Sequence, residues 1–397
     1  MEIRTLKPDE RENLNKIKSI AFNSRRDFTE RKPDDRMAYP IEWQWGGFDE
    51  RGRLQTGVAA IPYRMRFDGH TVGMCGIGGV CTLPEHRRGG NVFKILQRVL
   101  DIEYEKGTEF SNLTPFSHAF YRRMGYELCN CRNELTAPLE SFRRYRMTGT
   151  FEQHFPGDSV DALRQVQTAY IANLNHASPR HELHESIGWR KFTRNDPYKT
   201  GVNLYVWADD SGAPKSYIKI TQEAQPSQVL VIRELAFMDN ESLYGALSLL
   251  SSLKGETVRW QAPTFVPFTD ILPDNWDISL KMIPRDMTRV VHVQRVLEQM
   301  RRPEGRGSYR VEISDPQLSG NNGVFEVEYD DGRASVERST KPPDMTMSIQ
   351  VFSQLATGFR TLDNALMTRR DDLKANGNLD VLRRVFTWRP SHVTEEF

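Results

Sequence analysis

Apolar and polar positions along the chain change period repeatedly, and each change marks an element. Leu14, Ile17, Ile20 and Ala21 recur at helical spacing, and Asp9 stands where a cap for that helix is expected. Strand-like runs follow at 43–48 and 54–66, around the turn sequence Asp49-Glu50-Arg51-Gly52-Arg53. A glycine-containing strand at 74–83 leads into an amphipathic helix over 90–106, with Val92, Ile95, Leu96, Val99 and Ile102 on one face. Residues 110–113 read as a short buried strand, 117–124 as a short helix and 127–138 as a further strand. This order predicts a mixed α/β domain ending near residue 140. A similar order then recurs: a helix over 157–173, a hairpin of 204–208 and 216–221, a strand at 229–237, a helix at 240–253 and a strand at 257–262. It reads as a degenerate second copy, although no residue-level repeat accompanies it. Beyond the charged connector Arg301-Arg302-Pro303-Glu304-Gly305-Arg306-Gly307, alternating strands at 309–313, 325–329 and 334–338 precede three short helical patterns.

Composition narrows the class. The 397 residues suit two to four domains, and 54 basic against 53 acidic residues give a net charge of +1, which argues against a nucleic-acid-coating protein. The N-terminal stretch has no apolar run suited to a signal peptide, and no segment approaches the roughly 18 apolar residues of a membrane-spanning helix. Four cysteines (Cys75, Cys81, Cys129, Cys131) in so long a chain fit a reducing cytoplasm better than a disulfide framework. The expectation is a cytoplasmic, multidomain, enzymatic chain without membrane or nucleic-acid partners.

The most informative segment is Val80-Cys81-Thr82-Leu83-Pro84-Glu85-His86-Arg87-Arg88-Gly89-Gly90-Asn91-Val92-Phe93, a strand that enters a basic, Gly-rich turn and then a helix. The first amides of a helix lack intrahelical acceptors and carry the positive end of its dipole. Glycines let those amides approach a ligand, and Arg87 and Arg88 add formal charge, so the segment predicts a pyrophosphate cradle. It is neither a Walker loop nor a GxGxxG fingerprint.

On these residues the chain resembles the GNAT superfamily of acetyl-CoA-dependent N-acetyltransferases, whose Arg/Gln-x-x-Gly-x-Gly/Ala signature sits in that turn. Here it reads Arg87 to Val92, with Val92 where Gly or Ala is usual. The run Ala119-Phe120-Tyr121-Arg122-Arg123-Met124-Gly125-Tyr126 is similar to the superfamily's second segment, and Tyr121 matches the tyrosine that protonates the departing CoA thiolate. Over its whole length the chain resembles the Eis (enhanced intracellular survival) acetyltransferases. That resemblance implies tandem GNAT acyltransferase domains and a C-terminal sterol-carrier-protein-like α+β domain, with boundaries at 1–145, 146–290 and 291–397. It implies acetyl-CoA as co-substrate and Val80, Cys81, Thr82, Arg88, Gly89, Gly90, Asn91, Val92, Phe93, Phe116 and Ser117 as cofactor contacts. It also implies Tyr121 as general acid, the terminal carboxylate of Phe397 as general base, a small-molecule amine acceptor and a homo-oligomer, a hexamer in those relatives. In that family an acidic residue follows the first helix and helps to hold aminoglycosides. Here Phe22-Asn23-Ser24-Arg25-Arg26-Asp27-Phe28 is polar and mostly basic, so the resemblance leaves open whether aminoglycosides are substrates.

In the second copy, Met238-Asp239-Asn240-Glu241 stands at the corresponding helix start, and two acids there would repel a pyrophosphate. Scaffold and pocket wall are the expected roles. His181-Glu182-Leu183-His184-Glu185 spaces its histidines by three rather than four and reads as an exposed polar segment, not a zinc site. Cys129 and Cys131, without a Cys-x-x-Cys pair, do not suggest a metal. Arg143, Arg144 and Arg146 read as a solvated linker face, and Trp189, Trp207, Trp260 and Trp388 as core. Two other functions fit parts of the pattern. One is a tandem-GNAT aminoacyltransferase, which would lack the basic loop. The other is a non-enzymatic lipid-binding or scaffold protein.

Overall fold

The computed structural model describes residues 1–24, 39–180, 188–223, 228–272, 274, 276–369, 371–377 and 379–395. Of the residues singled out above, Arg25 to Phe28, His181 to Glu185, Glu396 and Phe397 lie outside them. The chain forms two compact units. One comprises Met1–Asn130 and Arg285–Arg389 together with Glu395; the other comprises Cys131–Pro284 and Pro390–Thr394.

The first strands in chain order are β1 (Glu2–Thr5), β2 (Gln44–Phe48), β3 (Leu54–Phe67), β4 (His70–Thr82), β5 (Phe110–Leu113), β6 (Glu127–Leu128) and β7 (Cys131–Pro138). They continue with β8 (Thr150–Gln153), β9 (Val202–Ala208), β10 (Pro214–Gln222), β11 (Val229–Phe237), β12 (Thr257–Pro263), β13 (Ser279–Pro284) and β14 (Met287–Val290). The first unit holds a sheet in the order β1-β2-β3-β4-β5-β14-β6, covered on its two faces by α1 (Arg11–Ala21) and α2 (Asn91–Lys106). Alternation along the strands sorts the two faces. Leu14 and Ile17 of α1 cluster with Phe48, Leu54 and Cys81, whereas Ile95, Leu96 and Val99 of α2 cluster with Val58, Cys75 and Ile77. Asp9 does not cap α1. It lies in the 3-10 turn Pro8–Glu10, and the helix starts after Glu10, whose carboxylate accepts from the Lys7 amide at 2.7 Å and from Arg4.

The expected single strand over 127–138 is broken at Cys129-Asn130. The amides of both residues donate to the Asp286 carbonyl, and the Asn130 side chain donates to Asp286 Oδ2 at 2.7 Å. The first piece, β6, pairs with β14, and the second, β7, pairs with β12 and β13. The second unit's sheet therefore has the order β8-β9-β10-β11-β12-β7-β13, which repeats that of the first position for position. In each sheet the sixth place is taken by a strand from a distant part of the sequence. The second copy lies on this sheet, with α4 (Asp161–Ile171) packed on β10 and β11 and the helix Asn240–Ser248 packed on β9 to β11. Trp189, Trp207 and Trp260 are core residues. Trp388 is 53% exposed, against expectation, because Phe386 takes the interior position at the end of the last helix.

A third sheet, within the first unit, comprises β15 (Arg306–Ser314), β16 (Gly323–Asp330), β17 (Arg333–Ser339), β18 (Met345–Ser348) and β19 (Leu373–Ala375), in the order β17-β16-β15-β18-β19. Its helix Ile349–Ala356 buries Ile349, Val351, Phe352, Leu355 and Ala356 and packs on β14 and β6. Ser353 accepts from the Val290 amide at 2.9 Å, and Gln354 donates to the Leu128 carbonyl at 2.9 Å. Much of this helix's apolar surface is thus consumed by packing inside the unit.

In the second unit His176 is fully buried, has φ of +65° and shares a 3.1 Å hydrogen bond through Nδ1 with Ser391 Oγ. Burial lowers its pKa to about 3, against about 6.5 when unfolded. The folded imidazole stays neutral over a range in which the unfolded one binds a proton, so stability must fall as pH drops from about 6.5 towards 3. The slope from this group is at most about 1.4 kcal/mol per pH unit. Urea midpoints measured between pH 7 and pH 4.5 should fall for the wild type and fall less for His176→Gln. Equal slopes would rule out His176 as a source of the pH dependence.

Candidate active site

The site is built where β4 and β5 separate. Their parallel pairing covers four rungs, from Met74–Phe110 to Ile77–Leu113, and β4 then runs five residues further, to Thr82. On its other side β4 keeps pairing with β3, but the register shifts: Ala59 faces Gly78 and Gly57 faces Cys81, so Gly79 and Val80 together oppose Val58. Gly79 has φ of +56°, which gives this two-against-one arrangement the form of a glycine-initiated β-bulge. A bulge bends and twists the strand that carries it, and here it sits directly beyond the last β4–β5 pair. The glycines of this strand were visible in the sequence; the bulge needed the register.

The Gly-rich turn follows. A 3-10 turn at Pro84–His86 leaves Arg87 extended, with Arg87 Nε donating to the Thr82 carbonyl at 3.3 Å. Arg88 has φ of +66°, a left-handed conformation that costs a non-glycine residue about 1 kcal/mol. Gly90 follows at φ +75° as the N-cap of α2 and offers no side chain to cap it. The first helical hydrogen bond runs from the Lys94 amide to the Gly90 carbonyl at 3.1 Å. Among the described residues, the six successive amides from Arg88 to Phe93 therefore have no protein acceptor. Arg88, Gly89 and Gly90 are exposed, and Asn91, Val92 and Phe93 half-buried. This row of donors, two arginines and a helix dipole can bind an extended anion.

Val80 and Thr82 are half-buried on the separated end of β4, but the Cys81 side chain points into the α1 core. Its thiol lies 3.6 Å from the Gly57 carbonyl, and burial raises its pKa to about 11, so Cys81 offers a ligand its backbone, not a thiolate.

Tyr121 lies on the short helix α3 (His118–Arg122), whose N-cap Ser117 accepts from the Phe120 amide at 3.3 Å. It is 2% exposed and belongs to the same cluster as Ile77 and Leu113, the final β4–β5 rung. Phe116 and Phe120 pack on it at 5.2 and 5.1 Å between ring centroids, and Phe116 is itself 68% exposed. Arg123, just past α3, lies over the Phe93 ring at 5.9 Å, so the tyrosine segment and the first turn of α2 are neighbours. Burial raises the pKa of Tyr121, which keeps its proton in place through neutral and mildly alkaline solution.

The structure gives the two tyrosines of this segment different hydrogen bonding. Tyr126 is fully buried, 2.7 Å from Ser111 Oγ. Ser111 gives its only proton to the Cys75 carbonyl at 2.8 Å, so Tyr126 must donate to Ser111. The Tyr126 hydroxyl is thereby committed to structure. The Tyr121 hydroxyl makes no hydrogen bond among the described residues.

On the face away from α2, Asn112 and Thr288 stand opposite each other on β5 and β14. Both are completely buried, and among the described residues Asn112 Oδ1 and Thr288 Oγ1 have no hydrogen-bond partner. Nothing in their local sequence marks them, because the pair exists only through the arrival of β14. In the second copy Asp239 caps the helix Asn240–Ser248 by accepting from the Ser242 amide at 2.8 Å, while Ser242 accepts from the Asp239 amide at 2.9 Å. The equivalent helix start is therefore closed by the chain's own carboxylate. Among the described residues no three His, Cys, Asp or Glu side chains converge as a metal site would require.

Residues 2–129 match the acetyltransferase (GNAT) domain model, and residues 293–394 match a sterol carrier protein domain model. The chain is also similar to a crystal structure of a conserved protein of unknown function from Enterococcus faecalis, described as a probable N-acyltransferase. That match has 21% identity and a TM-score of 0.85 over 98% of both chains. A GCN5-related N-acetyltransferase from Anabaena variabilis matches at 20% identity and a TM-score of 0.84, again over 98% of both chains. Eis1 from Mycobacterium abscessus matches at 16% identity and a TM-score of 0.80 over the whole of both. These likenesses are of fold. No curated protein matches the chain. The chain thus carries an acetyltransferase-type domain at its N-terminus and a sterol-carrier-type domain at its C-terminus, on a mixed α/β architecture.

Proposed function

We propose that this protein is an acetyl-CoA-dependent N-acetyltransferase that acetylates a primary amine of a small molecule or a lysine side chain by direct attack. One observation carries the reading: six amides, Arg88 to Phe93, that have no acceptor among the described residues lie in a basic turn that continues a strand separated from its neighbour. The amides of this turn bind the CoA pyrophosphate, with Arg87 and Arg88 supplying charge. Val80, Cys81 and Thr82 present backbone groups along the open edge of β4, where the pantetheine arm lies, and an amide at that edge stabilises the tetrahedral oxyanion. Phe116 and Ser117 border the thioester end.

Tyr121 hydrogen-bonds the sulfur as it departs. Its raised pKa makes complete proton transfer to a free thiolate unfavourable, so the hydroxyl acts as charge builds on sulfur in the transition state. Where Phe397 is the end of the chain, its carboxylate is the base implied by the resemblance. An unperturbed α-carboxyl, with pKa of about 3.5, takes the ammonium proton only when burial or a water relay assists it.

Calorimetry with acetyl-CoA and a CoA-release screen over aminoglycosides, polyamines and lysine-containing peptides test the reading. The protein should bind acetyl-CoA and release CoA only when an amine acceptor is present. Arg88→Gly should weaken acetyl-CoA binding by about 10-fold through loss of a charged phosphate partner. The same substitution relieves the left-handed strain at this position, so the melting temperature should not fall. A tightly binding Arg88→Gly variant would remove the arginine from the cradle.

A further inference from the structure

Helix α1 turns Leu14, Ile17 and Ala21 towards the first sheet, and Lys18 shares that side. A lysine there interrupts the apolar stripe that holds an amphipathic helix to its sheet. Lys18 is half-buried, and its Nζ donates to Gln44 Oε1 at 3.1 Å. Its Cε and Nζ stand 3.1 and 3.2 Å from where a Cβ on Gly79 would lie. The ammonium therefore rests on the β4 bulge, directly past the last rung that β4 shares with β5.

Gln44 lies on the same face of the sheet. Across the strands it stands opposite Ala59, and Ala59 stands opposite Gly78. Directly opposed residues turn their side chains to one face, so beyond Gln44 this row contributes only a methyl group and a hydrogen. The row is a low shelf that leads from β2 to the edge of β4 that β5 has left. Gln44 is 1% exposed. The ammonium takes its Oε1 and so fixes the orientation of the amide, and Nε2 has no hydrogen-bond partner among the described residues. A buried donor without an acceptor destabilises a fold, and so does a charge within an apolar stripe. Here the two stand side by side, as residues kept for a ligand do.

On the other face the split is filled. Ile77, Leu113 and Tyr121 pack there with Ile95 and Leu96 of α2. An acceptor that reaches the thioester from the α1 side passes over the shelf and meets an amide donor and a positive charge. That combination suits a carboxylate and repels a second ammonium group.

We propose that Lys18 and Gln44 form a carboxylate subsite on the acceptor side of the acetyl-transfer site, so that the amine acetylated is that of an amino acid and not of a polyamine. This rests on the function proposed above and names its substrate class. The transfer itself is unchanged: the amine nitrogen takes the acetyl group, the C–S bond breaks, CoA leaves as its thiol and one ammonium proton goes to solvent.

The test compares kcat/KM for α-amino acids, their α-carboxamides and spermidine in the wild type, Lys18→Met and Gln44→Met. The wild type should prefer an amino acid to its carboxamide by about 10-fold or more. Lys18→Met should lower kcat/KM for the amino acid by about 10–100-fold, leave the carboxamide nearly unchanged and raise the value for spermidine. Gln44→Met removes only the neutral donor and should act in the same direction by a smaller factor; it also serves should Lys18→Met fail to fold. Acetyl-CoA affinity should be equal in all three proteins, because the proposed pyrophosphate contacts are the Arg88 to Phe93 amides. A merely structural role would lower all acceptors together, and equal losses would overturn the subsite. So would a wild type that favours spermidine or does not distinguish acid from amide. A wild type that acetylates no amine would sink the proposed function. Calorimetry with N-acetyl amino acids in the presence of CoA then decides the subsite by itself: they should bind the wild type about 10-fold more tightly than Lys18→Met, and equal or absent binding would overturn it.

Discussion

Replacing Tyr121 by phenylalanine should lower kcat by about 10²–10⁴-fold, the usual contribution of a positioned proton donor, and leave the acetyl-CoA dissociation constant nearly unchanged. The separation follows from the geometry. The proposed pyrophosphate contacts come from the Arg88 to Phe93 amides and none from the phenol, so binding survives the loss of the hydroxyl. The ring is buried among Phe116, Phe120 and Tyr126, and phenylalanine retains that packing. Because the hydroxyl has no hydrogen bond among the described residues, its removal strands no partner, and stability should hold or rise slightly. Tyr126→Phe is the matched control. It removes the donor to Ser111 and should cost about 1 kcal/mol of stability with a much smaller effect on kcat. Steady-state kinetics with calorimetry separate the two tyrosines, and similar kcat losses in both variants would count against a specific role for Tyr121.

The second large effect is on stability. Arg289 on β14 and Asp315 are both completely buried and form an ion pair. Arg289 also donates to the Met124 carbonyl at 2.6 Å, next to Gly125, where an added Cβ would come within 2.6 Å of the guanidinium. Asp315 accepts in addition from the Gln317 and Leu318 amides and from Asn321. Removing the arginine alone leaves a carboxylate buried without its counter-charge, so Arg289→Met should destabilise the first unit by about 3–5 kcal/mol. For a unit of this size that is a fall of about 6–20 °C in melting temperature. Arg289→Met combined with Asp315→Asn removes both charges, keeps an acceptor for the neighbouring amides, and should recover much of the loss. Thermal unfolding of the four proteins completes the double-mutant cycle. Additive losses would mean that the two charges are not coupled.

The sequence by itself determined the local elements and the chemistry of the loop. Periodicity placed α1, α2 and most strands, because each buries one face and the apolar spacing must match its geometry. The basic, glycine-rich passage from β4 into α2 was legible because dipole, free amides and arginines are adjacent in the chain. So was the pair Asp239 and Glu241, two acids where the first copy has two arginines, although the cap by which Asp239 closes that helix start was not. The tertiary structure decided which sheet each strand joins. Residues 127–138 read as one strand, and nothing in that run says that its two parts pair with different sheets. The break is set by Asp286, more than 150 residues away, which receives the Cys129 and Asn130 amides. Insertion of β14 in turn creates the buried Asn112–Thr288 pair and brings Arg289 to Asp315. Tertiary hydrogen bonding also committed Tyr126 to Ser111 and placed Pro390–Thr394 beside Asn175 in the second unit. These outcomes share a physical reason. An amide or carbonyl at a strand edge bonds to any strand brought alongside, so the choice of partner is set by distant residues competing for the same backbone groups, whereas helix and turn signals are satisfied within a few residues of themselves.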